Sequence, residues 1–304
     1  MGRIVWIALA VAIGLYLTVL LAFAIQQRSL LYPAPPAPRG AATDMPPGFA
    51  AVALSTEDGL TLHAAYRTAA PGMLTLVFLH GNGSQIEASA RATALLGARG
   101  HGVLLVEYRG YRGNPGKPSE AGLYADGRAA LAWLRAQGVA PAQTVLIGNS
   151  LGSGVASQLA VETPVAGLVL ISAFTSLPDV AVAHYPWLPA RLLLRDRYDN
   201  RAKVARIRAP LLVLHGTADT VVPDGQGRTL VAAAHRATLE LVPGAGHELA
   251  FMPETQLRIA KWLAAIGFDQ APAGSDKAAP SQSGISASPS ASTRRSSTIS
   301  PSSG

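Results

Sequence analysis

Between residues 51 and 268, short aliphatic runs alternate with helical patterns, and this alternation restricts the possible folds more than any other feature. Met73–Leu79 (MLTLVFL), Gly102–Glu107 (GVLLVE), Thr144–Gly148 (TVLIG), Ala166–Ile171 (AGLVLI), Pro210–His215 (PLLVLH) and Thr238–Val242 read as strands. Most are apolar at nearly every position, so both faces must be covered. That is the signature of a mostly parallel sheet between helical layers. Helices are predicted over Gln85–Arg99, Ala121–Gln137, Ser150–Ala160, Gln226–His235 and Glu248–Ile266. Ahead of them, Ala51–Thr56 and Leu60–Tyr66 flank Asp58-Gly59, a hairpin turn signal. The expectation is one α/β domain over 51–268 with an eight-stranded, mostly parallel sheet. The span 173–209 is longer than one crossover helix needs. It reads as a small cap over the strand ends, where open α/β sheets bind ligands.

Hydrophobic residues make up 49% of the 304-residue chain and charged residues only 14%, against roughly 25% charged in an average soluble domain. The excess lies at the start. Ile4–Ile25 is an uncharged, apolar run long enough for a bilayer core of about 30 Å. Its length favours an anchor over residues 1–27, although Ala22-Phe23-Ala24 resembles the cleavage site of a signal peptide. Residues 28–50 form a Pro-rich spacer, with six prolines between 33 and 48, expected to hold the domain off the membrane. Residues 269–304 are rich in Ser, Pro, Ala and Gly and are expected to be disordered. The chain has no Cys, which excludes disulfides, thiolate metal sites and a cysteine nucleophile. Net charge is +7, with no basic stripe interleaved with aromatics, so no nucleic-acid partner is expected. Seven basic residues do cluster between Arg191 and Arg208, as a solvated cap surface or a face for anionic headgroups.

Gly148-Asn149-Ser150-Leu151-Gly152 matches G-x-S-x-G between an apolar strand and a helix of small residues. In that context it predicts a serine on a sharp turn, projecting above the sheet. A serine hydroxyl needs a positioned base, and on such a fold the acid and then the histidine follow in the chain. His247, in the glycine-rich Pro243–Glu248 loop after the final strand, is the expected base. Asp219, in His215-Gly216-Thr217-Ala218-Asp219 after the preceding strand, is the expected acid. The loop His80-Gly81-Asn82-Gly83 follows another strand end. Its Asn82 N–H and the N–H of Leu151 are the expected oxyanion donors. Trp187 and Leu192 in the cap are expected to line an apolar acyl pocket, and Tyr108 is either a loop-packing residue or a further wall. No metal-ligand cluster and no dinucleotide or P-loop fingerprint is present, so neither metal nor cofactor is expected.

HGNG, GNSLG, HGTADTVVP and PGAGHE, in this order, resemble the α/β-hydrolase superfamily. The apolar leader, Arg28-Ser29-Leu30-Leu31-Tyr32-Pro33 and Phe174-Thr175-Ser176-Leu177 are similar to its bud-emergence-type, membrane-anchored branch, which includes protein depalmitoylases. The resemblance implies a cofactor-free serine hydrolase of esters or thioesters, acting on a small acyl-ester or lipid-like substrate, with the catalytic domain outside the cytoplasm. Those depalmitoylases carry a Cys-rich, acylated N-terminus, whereas this chain has a transmembrane-length segment there. Amide or peptide cleavage by the same residues, and a non-catalytic scaffold on the same fold, are the alternatives; oligomeric state is not legible.

Overall fold

The computed structural model describes residues 2–36 and 44–267. The tail expected to be disordered, and part of the Pro-rich spacer, lie outside the described residues. In chain order the elements are α1 (Gly2–Leu31), β1 (Ala50–Ser55), β2 (Thr61–Arg67), β3 (Thr75–Leu79), α2 (Ile86–Ala98), β4 (Gly102–Val106), α3 (Glu120–Ala136), β5 (Thr144–Asn149), α4 (Leu151–Glu162) and β6 (Gly167–Ile171). The cap helices α5 (Leu177–His184), α6 (Ala190–Leu193) and α7 (Asn200–Val204) follow. The chain then forms β7 (Leu211–Gly216), α8 (Asp224–Ala233), β8 (Ala237–Val242) and α9 (Pro253–Ala265).

The eight strands form one sheet in the order β1-β2-β4-β3-β5-β6-β7-β8. β2 alone runs against its neighbours; the other pairings are parallel. Every residue of β3 to β7 is buried, as the continuous apolar runs require. Their side chains alternate between two cores. In β5, Leu146 packs with Leu131, Leu134, Val155 and Leu159 of α3 and α4. Its neighbours Val145 and Ile147 pack on the other face with Ile86, Leu96, Ile259 and Leu263 of α2 and α9. Fully burying such a side chain contributes roughly 1.5–3 kcal/mol, so a one-residue slip of this strand would be costly.

Helix starts follow local chemistry. Ser119 caps α3 by accepting from Gly122 N–H at 3.1 Å. The last helix begins five residues after the predicted Glu248. Pro253 cannot occupy a helix interior, so His247–Phe251 forms a separate 3₁₀ turn and Pro253 opens α9 at its first turn. α1 also departs from the expected boundary. It continues past residue 27 to Leu31, and Tyr32 beyond it is buried in the domain.

Candidate active site

β5 ends at Asn149, and Ser150 follows at φ 48° and ψ −114°. A non-glycine residue rarely adopts that conformation. Here the turn is held on both sides: Ser150 N–H donates to the Ile171 carbonyl at 2.9 Å, and the Ser150 carbonyl accepts from Ser153 N–H. Gly152 permits the close approach. A Cβ on it would lie 1.9 Å from the Leu79 carbonyl oxygen. The helix start therefore presses onto the end of β3, and the serine side chain stands clear at the C-terminal edge of the sheet.

The loops after β7 and β8 converge on the same edge. A Cβ on Gly216 would lie 2.2 Å from the Ala245 carbonyl oxygen, so the absence of a side chain lets the two loops touch. His247 Nε2 lies 2.9 Å from Ser150 Oγ, and His247 Nδ1 lies 2.9 Å from Asp219 Oδ2. The His247 carbonyl accepts from Ser172 Oγ at 3.2 Å, which fixes its backbone as well. Asp219 Oδ1 accepts the Val221 and Val222 N–H groups at 2.9 and 2.8 Å. Burial alone would raise the Asp219 pKa, but hydrogen bonds from His215, His247 and Val222 outweigh it and hold the carboxyl well below the usual range. A carboxylate fixed on Nδ1 leaves Nε2 of a neutral imidazole free to accept the serine proton.

Ser150 and His247 line a cavity of about 730 Å³ together with Gly81, Asn82 and Leu151. Gly81 abuts the serine directly: a Cβ built on it would lie 3.2 Å from Ser150 Cβ. His80 props this loop from below. Its Nδ1 is 2.8 Å from the Gly81 carbonyl and its Nε2 3.1 Å from Glu107, whose other oxygen accepts Ile86 N–H at 2.9 Å. Glu107 was not singled out from sequence. An acid at the end of an apolar strand, one strand over from a histidine loop, was the available signal.

The three residues expected in the pocket lie elsewhere. Tyr108 is fully buried beneath the loop, its hydroxyl donating to the His80 carbonyl, so it packs rather than lines. Leu192 is 86% exposed, because α6 is a single turn that places it on the outer surface. Trp187 is half exposed and packs edge-on against Phe23 of α1. The apolar walls come instead from Leu31, Pro35, Leu177, Val180, Val221 and Phe251. Leu31 and Pro35 fall in a segment whose periodicity carries no sign of docking onto the domain.

Residues 76–202 match the alpha/beta hydrolase family. Over 226 residues the chain is 44% identical to an uncharacterized protein of Mycobacterium tuberculosis, covering 73% of this chain and 80% of that one. The chain belongs to the α/β-hydrolase family. A further segment of this hydrolase, residues 190–254, matches the serine aminopeptidase S33 family. Human alpha/beta hydrolase domain-containing protein 17B is 33% identical over 176 residues, 57% of the hydrolase and 60% of the human protein. Among solved structures, the Pyrococcus furiosus esterase superposes with a TM-score of 0.59 at 20% identity, covering 76% of the hydrolase and 96% of the esterase. The esterase domain of a Rhodothermus marinus protein gives 0.56 at 23% identity, covering 72% and 100%. At those identities the likeness is one of fold.

Proposed function

We propose that this hydrolase is a membrane-anchored serine enzyme that cleaves carboxylic esters or thioesters through an acyl-enzyme. The observation that carries the reading is the run of two 2.9 Å hydrogen bonds from Ser150 Oγ through His247 to Asp219, opening on a cavity walled mainly by apolar side chains. Ser150 Oγ attacks the acyl carbon while its proton passes to His247 Nε2. The N–H groups of Asn82 and Leu151 receive the oxyanion of the tetrahedral intermediate. When that intermediate collapses, His247 returns the proton to the departing alkoxide or thiolate. Water, deprotonated by the same imidazole, then releases the acid and restores the serine.

α1 supports the anchor: it is 30 residues long with mean hydropathy 2.6 over its most apolar window, none of which is buried in the domain. The domain lies outside the cytoplasm in this reading, which protease protection in intact cells or spheroplasts tests.

A fluorophosphonate probe tests the chemistry. The wild type should label and Ser150→Ala should not; equal labelling of the two, or none of either, overturns the proposal. The match of residues 190–254 to a serine aminopeptidase family favours amide cleavage as the second reading. A panel of p-nitrophenyl esters of graded chain length beside aminoacyl amides separates them. Amide turnover with silent esters would select the second.

A further inference from the structure

α1 does not stand clear of the hydrolase domain. Tyr16 Oη donates to the Trp187 carbonyl at 3.0 Å, and Phe23 meets the Trp187 ring at 6.3 Å between centroids. Further along, the Gln27 amide oxygen accepts Arg195 N–H at 2.8 Å and its nitrogen donates to the Leu193 carbonyl. Arg28 pairs with Asp196 at 3.1 Å, and Tyr32 Oη lies 3.1 Å from the same carboxylate. These contacts tie the helix to the cap from Tyr16 onward. At 1.5 Å per residue, the part of α1 before Tyr16 is only about 21 Å long, short of the ~30 Å hydrocarbon layer.

The consequence is geometric. If α1 crosses a bilayer while attached in this way, the cap edge beside Tyr16 and Phe23 enters the apolar layer with it. That edge has the chemistry for it. Tyr185 and Trp187 are each about half exposed and Leu192 is 86% exposed, giving two aromatic residues of the interfacial kind and one aliphatic tip. Arg191, Arg195 and Arg197 are exposed on the adjoining turn; Arg191 also pairs with Asp179. Guanidinium groups on flexible stems can reach headgroup phosphates while their methylenes stay in the apolar boundary.

We infer that the cap edge formed by Tyr185, Trp187 and Leu192 is seated in the leaflet that α1 enters, with Arg191, Arg195 and Arg197 against anionic headgroups. The domain is then partly embedded rather than held off by a spacer, and the cleft, with Leu31 and Pro35 in its wall, opens close to that leaflet. The inference rests on the anchor reading of α1.

The absence of cysteine makes the test direct. Single-cysteine variants Leu192→Cys, Leu9→Cys and Gln137→Cys of the full chain carry a spin label in phosphatidylcholine–phosphatidylglycerol vesicles. All three sites are exposed, and Gln137 lies at the opposite edge of the sheet, ahead of β5. Labels at 9 and 192 should collide with dissolved oxygen several-fold more, relative to a water-soluble nickel chelate, than the label at 137. A label at 192 as water-accessible as that at 137, with 9 still in lipid, overturns the inference and leaves the anchor intact. A water-accessible label at 9 overturns both. Shielding of 192 from both reagents, with spin–spin broadening between copies, would mean that a second chain covers the edge, and also overturns it. Fluorophosphonate labelling of the same samples reports the Ser150 chemistry independently.

Discussion

His215 Nε2 lies 2.8 Å from the Val222 carbonyl and 3.4 Å from Asp219 Oδ2, the carboxylate oxygen that His247 also engages. A carbonyl only accepts, so Nε2 carries the hydrogen. His215 thus ties the loop that follows Asp219 to the end of β7, and keeps the carboxylate facing His247. A glutamine amide can reach the same place, whereas leucine cannot donate. His215→Leu should lower kcat about tenfold, the effect of losing roughly 1.4 kcal/mol, with KM little changed. His215→Gln should recover most of that loss. Steady-state kinetics on an activated ester measure both, and equal losses in the two variants would count against a positioning role.

The strain and crowding at the serine turn lead to a second expectation. In Gly152→Ala the new methyl meets the Leu79 carbonyl, a backbone atom that cannot swing aside. The variant should lose about 2–3 kcal/mol of stability and nearly all fluorophosphonate labelling. Gly225→Ala is its control. Nothing lies within 4 Å of a Cβ there, and in the first turn of α8 alanine should hold or slightly raise the melting temperature. Thermal denaturation of the pair checks both.

The sheet was legible because each of its inner strands is short and apolar at nearly every position, which leaves few alternatives to a covered parallel sheet. That Ser150, Asp219 and His247 come together at one edge was legible for a related reason: each lies within five residues of a strand end, in an order along the chain that the fold brings to neighbouring loops. The cavity walls were not. Trp187 and Leu192 have the composition of pocket residues, but which way a one-turn helix such as α6 faces depends on packing against α1, which no local pattern encodes. Leu31 and Pro35 line the cleft because Arg28 and Tyr32 dock on Asp196, a pairing separated by more than 160 residues.

Glu107 and His80 form a buried pair, each only 1% exposed at the side chain. His80 Nδ1 faces the Gly81 carbonyl, which only accepts, so Nδ1 is the donor there, and Nε2 faces the Glu107 carboxylate. In Glu107→Gln the amide can donate to Nε2 of the neutral ring and still accept Ile86 N–H. That variant should lose less than about 1 kcal/mol. Glu107→Ala leaves two buried donors or acceptors without partners and should lose about 2–4 kcal/mol, together with activity as the 80–83 loop relaxes. Urea unfolding of the two variants makes the comparison.

Lys203 offers a test through pH. Burial lowers its pKa to about 8, outweighing the attraction of Glu120, Asp199 and Glu162, while its ammonium lies against the rings of Tyr124 and Tyr198. In the unfolded chain a lysine titrates near 10.4. Between these values the unfolded state holds a proton that the folded state has released, so stability rises with pH across that window. Below about pH 8 the folded protein carries the full cost of a buried ammonium. Lys203→Met removes that cost and keeps the stem's apolar contacts, and the Tyr124 hydroxyl still donates to Glu120. The substitution should therefore raise the melting temperature at pH 7, and its advantage should shrink steadily by pH 9.5, before tyrosine ionisation intervenes. Melting curves at half-unit pH intervals measure the trend. An advantage that is flat or grows with pH would show that the folded protein keeps this lysine charged throughout.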